Sequence, residues 1–414
     1  MEKKIQDKWI PQKLEELGYV SRGRSKNRPR NDPKLYEGKY PFFQTGDIKR
    51  ANLYLSEYSQ TYNEKGLAQS KLWQPGTLCI TIAANIAETA ILKIEGCFPD
   101  SVVGFIPDEK KADIHYIKYY LDTIKLQIQN VSKGTTQDNL SLEKLRIFDI
   151  LTPPLPTQKK IAAILSAYDN LIENNTRRIK ILEEMAQALY REWFVEFRFP
   201  GHEDVEMVDD GCGRMIPEGW EYSKLEDVCT IIMGQSPKSE YYNETGEGLP
   251  FHQGVTNFGP RYPSDKIYCT ILKRIAKKGD ILFSVRAPVG RLNIANNRII
   301  LGRGLSAIRN KNGNQIFTYY QLKEIFKEED IIGGGTIFKA VTKEEIQNVK
   351  FLQPSNIILN KFERIVSPID SMLDSLYSKN HNLTQTRDLL LPRLIEGEVD
   401  VSELDIAVAE NNGE

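Results

Sequence analysis

From Leu155 to Phe194 apolar positions recur at helical spacing for forty residues without a glycine, and the single proline, Pro156, stands near the start. Ile161, Tyr168, Asn175, Leu182 and Leu189 lie seven apart, with Leu165, Ile172 and Trp193 filling the flanking positions. A heptad sustained this long predicts a coiled-coil helix; the other reading is an amphipathic helix of an ordinary core. Pro153, Pro154 and Pro156 cannot continue a preceding element, so Thr157 is the expected cap, and Pro200–Gly201 the expected stop. At 1.5 Å per residue such a helix is about 60 Å long.

The pattern occurs twice. At a shift of 201 the heptad falls on Phe362, Ile369, Leu376, Leu383 and Leu390, and Asp169 falls on Asp370. The same shift lays "KGTTQDNLSLEKLRIFDILTPPL" (133–155) over "GGTIFKAVTKEEIQNVKFLQPSN" (334–356), with Gly134 on Gly335 and Pro153 on Pro354. Further upstream, "WQPGTLCIT" (73–81) echoes "AKKGDILFS" (276–284), and "YPFFQTG" (40–46) echoes "LPFHQGV" (249–255). Pro392 is expected to kink or end the second helix. Each repeat therefore places a globular block before a long helix. Antiparallel pairing of the helices would set the blocks at opposite ends, related by a pseudo-twofold axis.

Both blocks read as mixed α+β. Short apolar runs such as "GTLCITIA", "AILKIEG", "GDILFSV" and "RIILG" are bounded by Gly, Pro and Asn, as strands are, while "DIHYIKYYLDTIKLQIQNV" and "FTYYQLKEIFKEED" have helical spacing. "SLEKLRIFDIL" and "TKEEIQNVKFL" read as a capped short helix followed by a strand. The alternation is too irregular for a doubly wound parallel sheet.

Composition adds little until charge is divided by block. Lys+Arg against Asp+Glu is 23 to 19 in residues 1–155, 8 to 11 in 156–216, 19 to 15 in 217–350 and 5 to 11 in 351–414. A polyanion would be held by the two basic blocks. No apolar run is long enough to span a membrane, and the N-terminus lacks the apolar core of a signal peptide. Five widely spaced cysteines without a CxxC pair are read as free thiols of a reducing cytoplasm.

No catalytic residue and no metal ligand can be named. There is no GxxxxGK[ST] phosphate loop, and "TPPL" (152–155) lacks the Asn/Asp and the aromatic of an amino-methyltransferase tetrapeptide. The four histidines are dispersed, without HExxH spacing. "GRGLSA" (302–307) fits a loose G-x-G-x-x-A, but no acidic residue follows at the distance a dinucleotide site needs.

Candidate nucleic-acid contacts are present. "SRGRSKNRPRNDPK" (21–34) carries six basic residues and one acid. It is either a solvated loop or a strip that follows phosphates through Arg22, Arg24, Lys26, Arg28 and Arg30. Polar loops occupy matched places in the repeats: Gln44–Thr45 with His252–Gln253, and Thr135, Thr136 and Gln137 with Thr336. Amides suit adenine edges, arginine suits guanine and threonine methyls suit thymine, so Arg286 and Arg291 in "SVRAPVGRLN" join the set. The "GT" loops can equally be plain turns.

The order of parts resembles the specificity subunit of type I restriction–modification enzymes. "LPTQKKIAAIL" with Asp169-Asn170-Leu171-Ile172, "ALYREWFVEF" (188–197), "IPEGWEYSKLEDV" (216–228) and "LLLPRLIEGEVDV" (389–401) carry the likeness. "KWIPQKLEEL" (8–17) resembles the same domain entry without its Gly-Trp pair. The resemblance implies target recognition domains at 1–155 and 217–355, spacer helices at 156–200 and 356–396, a linker at 201–216 and an acidic tail at 397–414. Each domain would read half of a split, asymmetric DNA site. The helices would set the gap and dock two methyltransferase subunits, with Ile161, Tyr168, Leu182, Leu189, Trp193, Phe362, Ile369, Leu376, Leu383 and Leu390 at the helix-pair and partner interface. The chain itself would hold no cofactor; S-adenosylmethionine, ATP and magnesium would belong to methyltransferase and to two restriction subunits. A standalone methyltransferase or endonuclease with diverged motifs, a scaffold that does not bind DNA, and an equivalent subunit of another defence system are the alternatives.

Overall fold

A computed structural model describes residues 9–132, 140–211, 213–327, 331–332, 336–337 and 340–407. Two compact units emerge: Met1–Arg178 with Leu376–Glu414, and Ile179–Ser375. Each contains one globular block and a part of both long helices.

The first unit is built on a five-stranded sheet in the order Gly18–Arg22, Val102–Pro107, Leu78–Thr81, Thr89–Leu92, Tyr54–Leu55, antiparallel except for the last pair. A four-stranded sheet follows in the order Gln60–Tyr62, Tyr36–Phe42, Gly96–Cys97, Leu72–Trp73. Its central pairing, Phe42 beside Cys97, is parallel. Leu78, Ile80, Val103 and Phe105 pack with Tyr116 and Ile117 of the helix Ile114–Thr123, and with Ile161, Leu165, Leu394 and Ile395 of the long helices.

The second unit repeats this plan. A four-stranded antiparallel sheet runs Cys229–Met233, Leu305–Asn310, Ile281–Ser284, Leu292–Ile294. A five-stranded sheet runs Tyr242–Asn243, Tyr268–Cys269, Leu249–His252, Ile299–Leu301, Ile275–Ala276. Phe251 beside Ile300 is the parallel pair here. The turns entering Leu78–Thr81 and Ile281–Ser284 each need a left-handed residue; Gly76 (φ 82°) and Gly279 (φ 87°) supply it. The capped short helices lie at Leu142–Leu145, capped by Ser141, and Lys343–Gln347, where Thr342 and Glu345 form a capping box.

The long helices are Leu155–Phe194 and Asn356–Ile395. The first starts two residues ahead of the expected Thr157. The carbonyl of Pro154 accepts from Thr157 and Gln158, which places Pro156 in the first turn, where its missing N–H costs nothing. The second helix neither stops nor shortens at Pro392. One hydrogen bond is lost near the end, while Leu390, Leu391, Leu394 and Ile395 on either side stay packed in the first unit's core.

The helices pair antiparallel. In the first unit Asp169 meets Arg387, and Asn175 Nδ2 donates to Asn380 Oδ1 at 2.9 Å, so one number rises as the other falls. In the second, Tyr190, Trp193 and Phe194 set their rings 6.3, 6.0 and 5.0 Å from Phe362.

The stretches expected as a linker and an acidic tail carry structure where they are described. Residues 201–216 carry a short 3-10 turn, His202–Asp204, and an antiparallel pair, Met207–Asp209 with Met215–Pro217. The expected acidic tail begins with Val399, Val401 and Ile406 against the first unit's core, and Lys160 Nζ donates to the Ser402 carbonyl at 2.6 Å. Among the described residues no helix is long and apolar enough to cross a membrane, and Cys79, Cys97, Cys229 and Cys269 are free and buried.

Candidate nucleic-acid interface

The polar residues at the strand ends are held by the same backbone contacts in both units. In the second unit Gly234 N donates to the Leu305 carbonyl, Gln235 N to Leu301, Val285 N to Gly304 and Val341 N to Val285. In the first, Gly23 N donates to Val102, Arg24 N to Phe98, Ile82 N to Ser101 and Leu140 N to Ile82. The turn after the central strand matches as well. The Thr81 hydroxyl donates to the Asn85 carbonyl and accepts from Glu88 N, as the Ser284 hydroxyl does with Pro288 and Arg291 N. A constant frame therefore presents different side chains: Ala83 and Glu88 in the first unit stand where Arg286 and Arg291 stand in the second.

On this frame the parallel pairs fix the register. Phe42–Cys97 corresponds to Phe251–Ile300, so Gln44 corresponds to Gln253 and Phe43 to His252. The expected pairing of Gln44–Thr45 with His252–Gln253 is thus off by one residue. Gln253 and Gln44 are exposed, Gln44 Nε2 donating to Gln60 Oε1 at 2.6 Å. His252 is buried at 1% exposure, its Nε2 2.8 Å from Asp265, whose other oxygen accepts from Asn297. It shapes the end of the strand and cannot reach a base edge.

The basic segment divides. Arg22, Arg24 and Lys26 are exposed, whereas Arg30 Nη2 grips Asp100 at 2.7 and 2.9 Å, with Arg28 3.8 Å from the same carboxylate. Lys26 N and Asn27 N are fixed by Gln69 Oε1, and the Ser70 hydroxyl donates to the Arg24 carbonyl, so the segment is a fastened arch. Thr45 opens the helix Thr45–Arg50 and is half-buried. Arg286 and Arg291 are exposed, Arg286 bridging Ala340 through its backbone. Thr135, Thr136 and Gln137 lie outside the described residues; Thr336 lies on the two-residue strand Thr336–Ile337, and its side chain is likewise undescribed.

Sequence reasoning passed over Arg303. It projects between Gly302 and Gly304, whose N–H groups donate to the carbonyls of His252 and Gln253 at 2.8 and 2.9 Å. A Cβ on Gly302 would stand 2.5 Å from Gln253 Cα, and one on Gly304 2.4 Å from the Gln253 carbonyl oxygen. The glycines of "GRGLSA" thus serve close strand packing. Laying the repeats together on their parallel strands would have found the residue, because that puts Asp100 opposite Arg303.

In the helix seam Ile161, Trp193, Phe362 and Leu376 are buried, and Tyr168, Leu182, Leu189, Ile369, Leu383 and Leu390 half-buried. The repeated aspartate joins helix to domain. Asp169 accepts from the Tyr119 hydroxyl and from Arg387; Asp370 accepts from Arg261, which lies 3.6 Å from Asp374 as well. Burial alone would depress the pKa of Arg261, but Asp370 and Tyr262 hold it above its ordinary value. Burial and then the Asp169 charge push the Tyr119 phenol up, which keeps it a donor. Among the described residues no group of three His, Cys, Asp or Glu is placed to hold a metal ion.

The pattern of the type I restriction modification DNA specificity domain matches residues 6–184 and again 217–380. The chain belongs to this family of specificity subunits. A putative type I restriction enzyme MjaX specificity subunit of Methanocaldococcus jannaschii is 32% identical over 71% of this chain and 70% of its own length. The MjaIX specificity subunit of the same organism is 27% identical over 97% and 96%. Among solved structures, the type I restriction–modification S subunit from M. genitalium shares the fold, with a TM-score of 0.61 and 18% identity over 93% of this chain and 96% of that one. A specificity subunit recognises DNA within a type I complex and leaves the chemistry to other chains.

Proposed function

We propose that residues 1–155 and 217–355 are target recognition domains, each reading one half of a bipartite, asymmetric DNA site. The helices of 156–200 and 356–396 set the number of base pairs between the halves and dock two methyltransferase subunits. Those partners bind S-adenosylmethionine and methylate adenine. Two restriction subunits, using ATP and magnesium, join them for cleavage in the cytoplasm. One observation carries this reading: the same strand-end frame is built twice and dressed with different polar side chains. Exposed Arg22, Arg24 and Lys26 suit phosphates in any sequence, whereas Gln44, Gln253, Arg286 and Arg291 suit base edges. Thr45, Thr135, Thr136, Gln137 and Thr336 complete the proposed set. Buried His252 acts through the strand it ends.

The test is methylation mapping of the reconstituted complex. Exchanging residues 1–155 for another such domain changes one half-site only. Inserting one heptad into 157–196 lengthens the gap and leaves both halves as they were. If either change altered both halves, the modular reading would fail.

A further inference from the structure

Resting on that reading, we propose that Arg303 is a guanine-reading side chain of the second recognition domain, and that its counterpart Asp100 in the first domain reads no guanine but holds Arg28 and Arg30 in place.

The backbone around Arg303 is clamped from two sides. Gly302 and Gly304 donate to His252 and Gln253, while a Cβ on Gly234 would stand 2.1 Å from the Gly302 carbonyl oxygen. Arg303 N donates to the Ser236 hydroxyl oxygen at 3.1 Å. A guanidinium on such a mount starts from a fixed point, which bidentate recognition requires. The side chain is exposed and in no ion pair among the described residues. Other arginines of this unit are engaged: Arg261 with Asp370, Arg309 with Asp280, Arg191 with Glu324, Arg214 with Asp210. The neighbours also suit a groove. Gln253 is exposed beside it, and Val285 N donates to the Gly304 carbonyl, which brings the Arg286 turn alongside. An arginine fork matches guanine O6 and N7, and the adjacent amide matches adenine N6 and N7.

The first unit supplies the contrast. Asp100 occupies the equivalent point of the frame, but Arg30 grips both its oxygens. One backbone position thus carries an exposed cation in one domain and a neutralised anion in the other, as expected where a constant scaffold delivers different specificities.

The experiment uses the complete complex of specificity and methyltransferase subunits, with methylated sites mapped for wild type, Arg303→Ala and Arg303→Lys. Lysine keeps the charge and loses the fork. Both variants are expected to keep the first half-site and the gap, and to relax one G·C position of the second half-site by roughly 5- to 150-fold. Asp100→Asn is expected to leave the second half-site unchanged. The proposal is overturned if the wild-type second half-site contains no guanine, or if either Arg303 variant keeps every position specified. It is also overturned if Arg303→Ala weakens binding to all duplexes alike with a shallower salt dependence, the behaviour of a phosphate contact. A wild-type complex that methylates no two-part site would instead remove the reading on which the proposal rests.

Discussion

Asp169 and Asp370 occupy the same step of two helices 201 residues apart and are satisfied from different directions. Asp169 takes Tyr119 from its domain and Arg387 from the opposing helix; Asp370 takes Arg261 from its domain. Arg261 is 2% exposed on its side chain with a second carboxylate, Asp374, at 3.6 Å, whereas Arg387 is 18% exposed and has its second partner, Asp388, at 2.7 Å. The repeat preserves an acceptor that fastens a domain to its helix, and each copy finds its own donor. Burial then decides how much depends on the fastening, because a charge left unpaired in the interior costs more than one that can turn to water.

The largest effect that can break this comparison is Asp370→Ala, which takes from the buried Arg261 its closest partner and leaves it only the more distant Asp374 and the Tyr262 hydroxyl. A loss of about 3–5 kcal/mol is expected, read as hydrogen exchange rising across the second unit. Arg261→Met removes the buried charge and leaves Asp370, 27% exposed on its side chain, to solvent. Its cost should be only about 1–2 kcal/mol. Equal losses from the two variants would show that lost contact, and not the unpaired charge, sets the penalty.

Asp169→Ala should cost less than Asp370→Ala, about 1.5–3 kcal/mol, with the exchange confined to the first unit. A loss as large as that of Asp370→Ala would erase the distinction between the two fastenings. The smallest effect sharpens the frame rather than its anchors. Gly302→Ala forces a Cβ against the Gln253 backbone and should cost about 1–3 kcal/mol. Gly254→Ala, where a Cβ meets nothing within 4 Å, should stay within about 0.5 kcal/mol in urea unfolding.

The long helices were legible because a seven-residue period repeated at one shift leaves little choice, and because the paired Asp169 and Asp370 marked the register. Their ends were less so. A proline is read as a breaker, yet Pro156 sits harmlessly in a first turn and Pro392 is carried by the apolar residues around it. The sheets were recognisable as strands but not as an order, since the pairing of Phe42 with Cys97 joins residues far apart in the chain through contacts that no local pattern encodes. The same gap explains the site. Gln44 and Gln253 could be found as polar residues at strand ends, whereas Arg303 between two glycines looks like any turn until the strand behind it is in place. His252 lies one position before the exposed residue, at the end of a strand whose last three residues are all buried, and Asp265 holds its ring there.

The first unit is discontinuous: the helix segment from Leu376 and the stretch through Val401 that complete its core are made 198 residues after Arg178, whereas the second unit is one unbroken stretch. At about 5–20 residues per second of synthesis, the apolar face around Ile161 and Leu165 waits about 11–46 s for Leu394 and Ile395. The second unit has all its parts before the first can close. The unit that comes second in the chain is thus the one that can close first during synthesis.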